Sequence, residues 1–142
     1  KNKKFLNTKK SFFDNKKSLN IYKKSIKKNR DKLKKFGSKI SKFNNKIVFW
    51  GAGRLFDGIM KYGNLKFSKK FKLYDKHLFK YFKRMHNIKL LKPSELSSLS
   101  KNFNIVICSN ADYNQILNEA RKFKFSKILS YKKFIWLIKW EN

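Results

Sequence analysis

Residues 46–58 read KIVFWGAGRLFDG. The run from Ile47 to Trp50 is continuously apolar, as in a strand buried on both faces of a parallel sheet. Gly51 and Gly53 interrupt it. Leu55, Ile59, Met60 and Tyr62 then fall at helical spacing up to Gly63. Strand, glycine turn and helix in that order are the context in which a GxG turn can hold a phosphate. Gly51 permits the tight turn, and Gly53 lets the backbone approach a pyrophosphate with no Cβ in the way. The N–H groups of residues 53–55, spanning Gly53, Arg54 and Leu55, would then face the anion along the helix dipole. Arg54 either contacts the phosphate or is a solvated first-turn residue. Phe56 stands where the third glycine of the dinucleotide fingerprint belongs, and Gly58 comes two positions late. The missing glycine normally allows close helix–strand packing, so Phe56 predicts a helix pushed outward or a ring swung into the ligand cleft. The plainer alternative is that Gly51 and Gly53 make only a turn.

Working outward, KFKLYD reads as a second strand ending at Asp75. An acid there accepts hydrogen bonds from ribose hydroxyls, and with only eight acids in the chain its presence is informative. FNIVIC is a third buried strand ending at the same sheet edge, where Ser109, Asn110 and Tyr113 are predicted to line a cleft. The helix that follows would be capped by Ser109 or Asn110, with Asp112 at its positive end. NIKLL reads as a short edge strand. Pro93 and Glu95 open a helix, with Leu96 and Leu99 facing inward. SKILS reads as a last strand, and Lys76 to Met85 as a variable basic stretch. The expected fold is α/β: a Rossmann-like parallel sheet of order 3-2-1-4-5 with helices on both faces. The candidate cofactor-binding residues are Gly51, Ala52, Gly53, Arg54, Leu55, Asp75, Ser109 and Asn110, with a nucleotide or an NAD-like ligand as occupant.

Four segments follow from this reading. Residues 1–17 form a basic, poorly ordered lead-in or linker. Residues 18–45 hold an amphipathic helix, with Tyr22, Ile26, Leu33, Phe36, Ile40 and Phe43 on one stripe and Asn44-Asn45 ending it. Such a helix packs on a neighbouring domain or lies on an anionic membrane surface. Residues 46–130 form the Rossmann-like domain. Residues 131–142 are an apolar tail, KKFIWLIKW at its centre, expected to pack on the sheet or a neighbour or to act as a tryptophan-rich surface anchor.

The formal net charge is +30, and the 38 basic residues include only four arginines, Arg30, Arg54, Arg84 and Arg121. Surfaces that read bases or grip phosphates favour the arginine fork. Lysine, asparagine, phenylalanine and isoleucine in excess are what an AT-rich genome writes through its codons. A dedicated nucleic-acid site is therefore the second reading, not the first, and a non-catalytic interaction module docked through the 18–43 helix is the third. Cys108 is the one cysteine, which excludes an internal disulfide and fits a reducing cytoplasm. Its strand context predicts a buried thiol, not a nucleophile. His77 and His86, without clustered carboxylates, make a poor metal site, so no metal site is expected. No nucleophile–base pair can be assembled, and no run is long enough to span a bilayer. The chain opens on Lys1 and is read as a piece of a longer protein.

The segments NKIVFWGAGRLFDGIMKYGNL, KLYD, NIKLLKPSEL, FNIVICSNADYNQILNEARKF and KILS together resemble the C-terminal domain of sugar C-methyltransferases. The resemblance spans roughly residues 18–130. It is similar also to the nucleotide-binding domains of nucleotide-sugar epimerases, dehydratases and sugar acyltransferases. It departs from the methyltransferase pattern after Asp75, where a glycine–proline-rich segment is lacking, and at Gly53, where another small residue is usual. The resemblance implies a domain of sugar-nucleotide metabolism that holds a nucleotide-sugar. S-adenosylmethionine and the catalytic base would then belong to an upstream domain of the same chain.

Overall fold

The computed structural model describes the backbone of residues 3–66 and 68–131 and the side chains of residues 15–66, 68–99 and 101–131. They fall into two units, one ending at Lys32 and one beginning at Leu33. Helix α1 spans Lys3–Lys42, so it takes in most of the basic lead-in as well as the amphipathic stretch. The rest of the second unit runs β1 (Ile47–Trp50), α2 (Arg54–Tyr62), β2 (Phe71–Tyr74), β3 (Arg84–Met85), β4 (Ile88–Leu91), α3 (Pro93–Leu99), β5 (Asn104–Ile107), α4 (Tyr113–Ala120) and β6 (Lys127–Ser130). Short 3-10 turns lie at Leu78–Lys80 and Ser100–Asn102. The apolar tail lies outside the described residues beyond Tyr131.

The six strands form one sheet of order β3-β4-β2-β1-β5-β6. This differs from the expected 3-2-1-4-5 by one added strand, the five expected strands keeping that order among themselves. A sixth strand, Arg84–Met85, adds at the edge and pairs antiparallel with Ile88–Leu91, while the other pairings are all parallel. The basic stretch 76–85 concealed it, because two residues carry no periodicity. Its turn was concealed too. His86 and Asn87 both sit at positive φ, 48° and 62°, the conformation of a tight two-residue hairpin turn. Asparagine accepts that region readily and histidine less so. His86 is held there by its Nε2, 2.8 Å from Asp57 Oδ1 on α2, and by an edge-on contact with the Phe56 ring.

β1 and β5 are buried at every position, as central strands of a doubly covered sheet require. Alternation then sorts their side chains to two faces. Ile47, Phe49, Val106 and Cys108 join Phe36 and Ile40 of α1 and Phe56 and Ile59 of α2 in one core. Val48, Trp50, Ile105 and Ile107 join Leu96 of α3 and Ala120 of α4 in the other. The indole of Trp50 meets the Tyr74 ring edge-on at 4.7 Å, and burial is the main cause that raises the Tyr74 hydroxyl above its ordinary value, with Glu119 and Asp75 adding to it.

On the first face the C-terminal turns of α1 approach α2 backbone to backbone. A Cβ on Gly37 would fall on the carbonyl of Gly63, and one on Gly63 would lie 2.9 Å from the Leu33 carbonyl oxygen. On the second face α3 opens as the sequence suggests: Glu95 Oε2 accepts from the Lys92 N–H at 2.8 Å. The Lys89 ammonium and that backbone bond hold the Glu95 carboxyl below its usual value.

Candidate functional site

The cleft forms where the carboxyl ends of β1, β2 and β5 meet the starts of α2 and α4, the position at which open α/β sheets take their ligands. Its volume is about 560 Å³, within the range of small-molecule sites. Gly51, Gly53, Arg54, Leu55, Asp75, Ser109 and Asn110 line it. Ala52 does not; it is almost wholly buried in the core.

Gly51 has φ of 103°, where an L-residue is strained. Its N–H donates to the Tyr74 carbonyl at 2.8 Å, and the Cys108 N–H donates to the Trp50 carbonyl at 2.7 Å. These bonds extend the parallel ladders one step past the strand ends and fix the turn between β2 and β5. Gly53 is different. It is the N-cap of α2 at φ −83°, ψ −161°, a conformation open to any residue, and a Cβ there would meet nothing within 4 Å. Neither backbone strain nor packing calls for glycine at 53, so the space beside it is free for a ligand.

Asp75 stands at the predicted place, but its carboxylate serves the chain itself. Oδ2 accepts from the Ala52 N–H at 2.9 Å, and Oδ1 accepts from the N–H groups of His77 and Leu78, each at 3.0 Å. The acid therefore ties the glycine turn to the start of the 3-10 turn after β2. A carboxylate offers about four acceptor positions, which leaves room for one further bond. Asp75→Ala is expected to lower stability by about 1–3 kcal/mol through the loss of these charge-assisted bonds. Asp75→Asn, which keeps one acceptor oxygen, should recover part of the loss. Urea unfolding of the two variants checks this.

Phe56 does not enter the cleft. It is fully buried, its ring 5.4 Å from Phe49, and it faces the core shared with α1. The expectation of a ring in the cleft fails because the third-glycine position points at the sheet and not at the ligand. In this sheet the space a close-packed helix would occupy is filled by the ring.

On the β5 side the Ser109 hydroxyl donates to Asp112 Oδ2 and accepts from the Asp112 N–H, both at 3.1 Å. The N-cap of α4 is Asp112, not Ser109 or Asn110, and its side chain makes no capping bond. Tyr113, also expected in the cleft, packs instead against the α3–α4 core. Cys108 borders the cleft, but burial drives its thiol well above the ordinary value, and the S–H faces the Val106 carbonyl at 3.6 Å. It is not poised as a nucleophile. His77 lies in the cleft and His86 on the hairpin. Among the described residues no group of three or more histidine, cysteine, aspartate or glutamate side chains could hold a metal.

Several lining residues escaped the sequence reading. Lys76 follows Asp75, and its ammonium pairs with Glu119 Oε1 at 2.7 Å, joining the end of β2 to α4 at the rim. Gln115 and Glu119 recur at helical spacing from Asp112 along α4. That spacing was the available signal, since residues one turn apart share a face.

The chain matches no family model, no curated protein and no solved structure. Among the described residues no helix is long and apolar enough to cross a membrane.

Proposed function

We propose that the cleft binds a nucleotide or nucleotide-sugar, and that the domain serves a sugar-modifying enzyme of the C-methyltransferase kind by holding its substrate. The observation that carries the reading is Gly53. It is exposed at the N-terminus of α2, in a cleft of suitable volume, at a conformation that makes no demand for glycine. A pyrophosphate approaching the backbone supplies the missing demand. Arg54 beside it offers a cation, and the first N–H groups of α2 offer donors. The Ser109 hydroxyl and the Asn110 amide supply polar contacts across the cleft.

The role is binding and orientation. Cys108 is held protonated by its burial. Asp75 is engaged by backbone donors, so a ribose finds at most one acceptor position there. The base and the methyl donor of the proposed reaction would come from another domain. Saturation-transfer NMR with UDP, dTDP, CDP, ADP, NAD and a matching nucleotide-sugar tests the reading. Transfer to the ribose and phosphate-proximal protons of a diphosphate, and none from a plain sugar, is the expected result. No transfer from any nucleotide at millimolar concentration overturns it.

A further inference from the structure

The first unit carries a surface that the cleft does not use. From Leu19 to Phe43 positions at strictly alternating gaps of three and four are apolar at every step but one, Asn29. That is the a/d pattern of a coiled-coil seam. From Leu33 on, the seam residues are spent in the domain core: Phe36 and Ile40 are fully buried, and Leu33 and Phe43 pack against the same cluster. In residues 15–32 the same seam is open. Leu19 is 50% and Tyr22 63% exposed, and Ile26 is half-buried.

Charge decides what covers it. Lys16, Lys23 and Arg30 follow the d positions along one flank, while Ser18, Ser25 and Lys32 precede the a positions along the other. Residues 15–32 hold eight basic side chains and one acid, Asp31. A second copy would bring cations to cations and no carboxylate to either flank. A membrane-surface helix needs a broad apolar face. Here only Leu19, Ile21, Tyr22 and Ile26 are apolar between residues 15 and 32, and Ile21 lies off the seam. What a narrow seam with a basic flank fits is a helix with its own apolar seam and acidic flanks.

We propose that residues 15–32 of α1 form a docking seam for one acidic, heptad-patterned helix of a protein partner. Leu19, Tyr22 and Ile26 interdigitate with the partner's seam, Lys16 and Lys23 pair with its flanking carboxylates, and Asn29 sets the register by selecting a polar residue opposite.

The test uses the whole chain and a fluorescent synthetic helix with leucine and isoleucine on its seam and glutamate at both flanks. Anisotropy should report saturable one-to-one binding. A peptide of the same composition with the heptad order scrambled should not bind. Leu19→Gln with Ile26→Gln should abolish binding while circular dichroism shows the chain's helix content retained. Lys16→Glu with Lys23→Glu should weaken it about tenfold or more, equivalent to about 1.4 kcal/mol. Ile21→Gln, off the seam, should leave it unchanged. Equal binding of the scrambled peptide would reduce the surface to charge attraction and overturn the proposal. So would a seam-dependent dimer of the chain, or seam-dependent binding to phosphatidylglycerol vesicles or duplex DNA with none to the probe.

Discussion

Gly37→Ala is expected to destabilise the second unit by about 2 kcal/mol or more, the overpacking scale for a site that cannot yield. The sign is the informative part. In an ordinary helix interior the same change stabilises by about 1 kcal/mol. Here the added methyl meets the Gly63 carbonyl, which is backbone and cannot rotate away. Relief requires the last turns of α1 to lift from α2, withdrawing Phe36 and Ile40 from the core. Gly58→Ala is the matched control, because its Cβ would meet only the Leu33 side chain, Cδ1 at 3.2 Å and Cδ2 at 3.9 Å, an end that can shift. It should be neutral or mildly stabilising. A rise in the urea midpoint for Gly37→Ala would refute the close backbone approach.

Phe56→Gly restores the dinucleotide fingerprint on paper, and it is expected to cripple the fold without improving any site. Removing a fully buried phenylalanine costs about 3–5 kcal/mol, and glycine within a helix adds about 0.5–1 kcal/mol. The ring touches Phe49 and the His86 imidazole, so its loss also loosens the β3–β4 hairpin from α2. It is not part of the cleft lining, so nucleotide affinity per folded molecule should be unchanged. Phe56→Leu, which keeps much of the volume, separates the two effects: a folded variant that binds a dinucleotide more tightly would restore the obstruction reading.

The parts of this fold that were legible in the sequence are those with unambiguous patterning. Ile47–Trp50 and Asn104–Ile107 are apolar throughout because both their faces are covered, and they stand side by side at the sheet centre. The amphipathic stripe through Phe36 and Ile40 was legible for the same reason. What escaped depended on few residues or on side-chain direction. Arg84–Met85 is too short for a period, and its turn uses His86 where glycine or asparagine would have been a signal. Of the two outcomes read for Phe56, the ring in the cleft fails, because the position lies on the face of α2 turned to the core. Asp75 stands at its place, and two of its three backbone donors, His77 and Leu78, follow it in sequence as in an Asx turn, but the third, Ala52, comes from a segment whose approach no spacing reveals. The exposure of Leu19 and Tyr22 was hidden as well, since the stripe continues, with Asn29 as its one polar step, into the buried half of the helix.

The central claim, that the open space at Gly53 is a ligand site, is tested most directly by calorimetric titration of a nucleotide-sugar into the parent chain and into Gly53→Val. The valine side chain meets no atom of the chain within 4 Å at its Cβ, and its backbone angles are allowed, so the urea midpoint should stay close to that of the parent. Saturable binding to the parent with none to Gly53→Val is the expected result. Equal affinity in both, or no heat from either at millimolar ligand while both remain folded, would contradict the account and leave the glycine turn a turn alone.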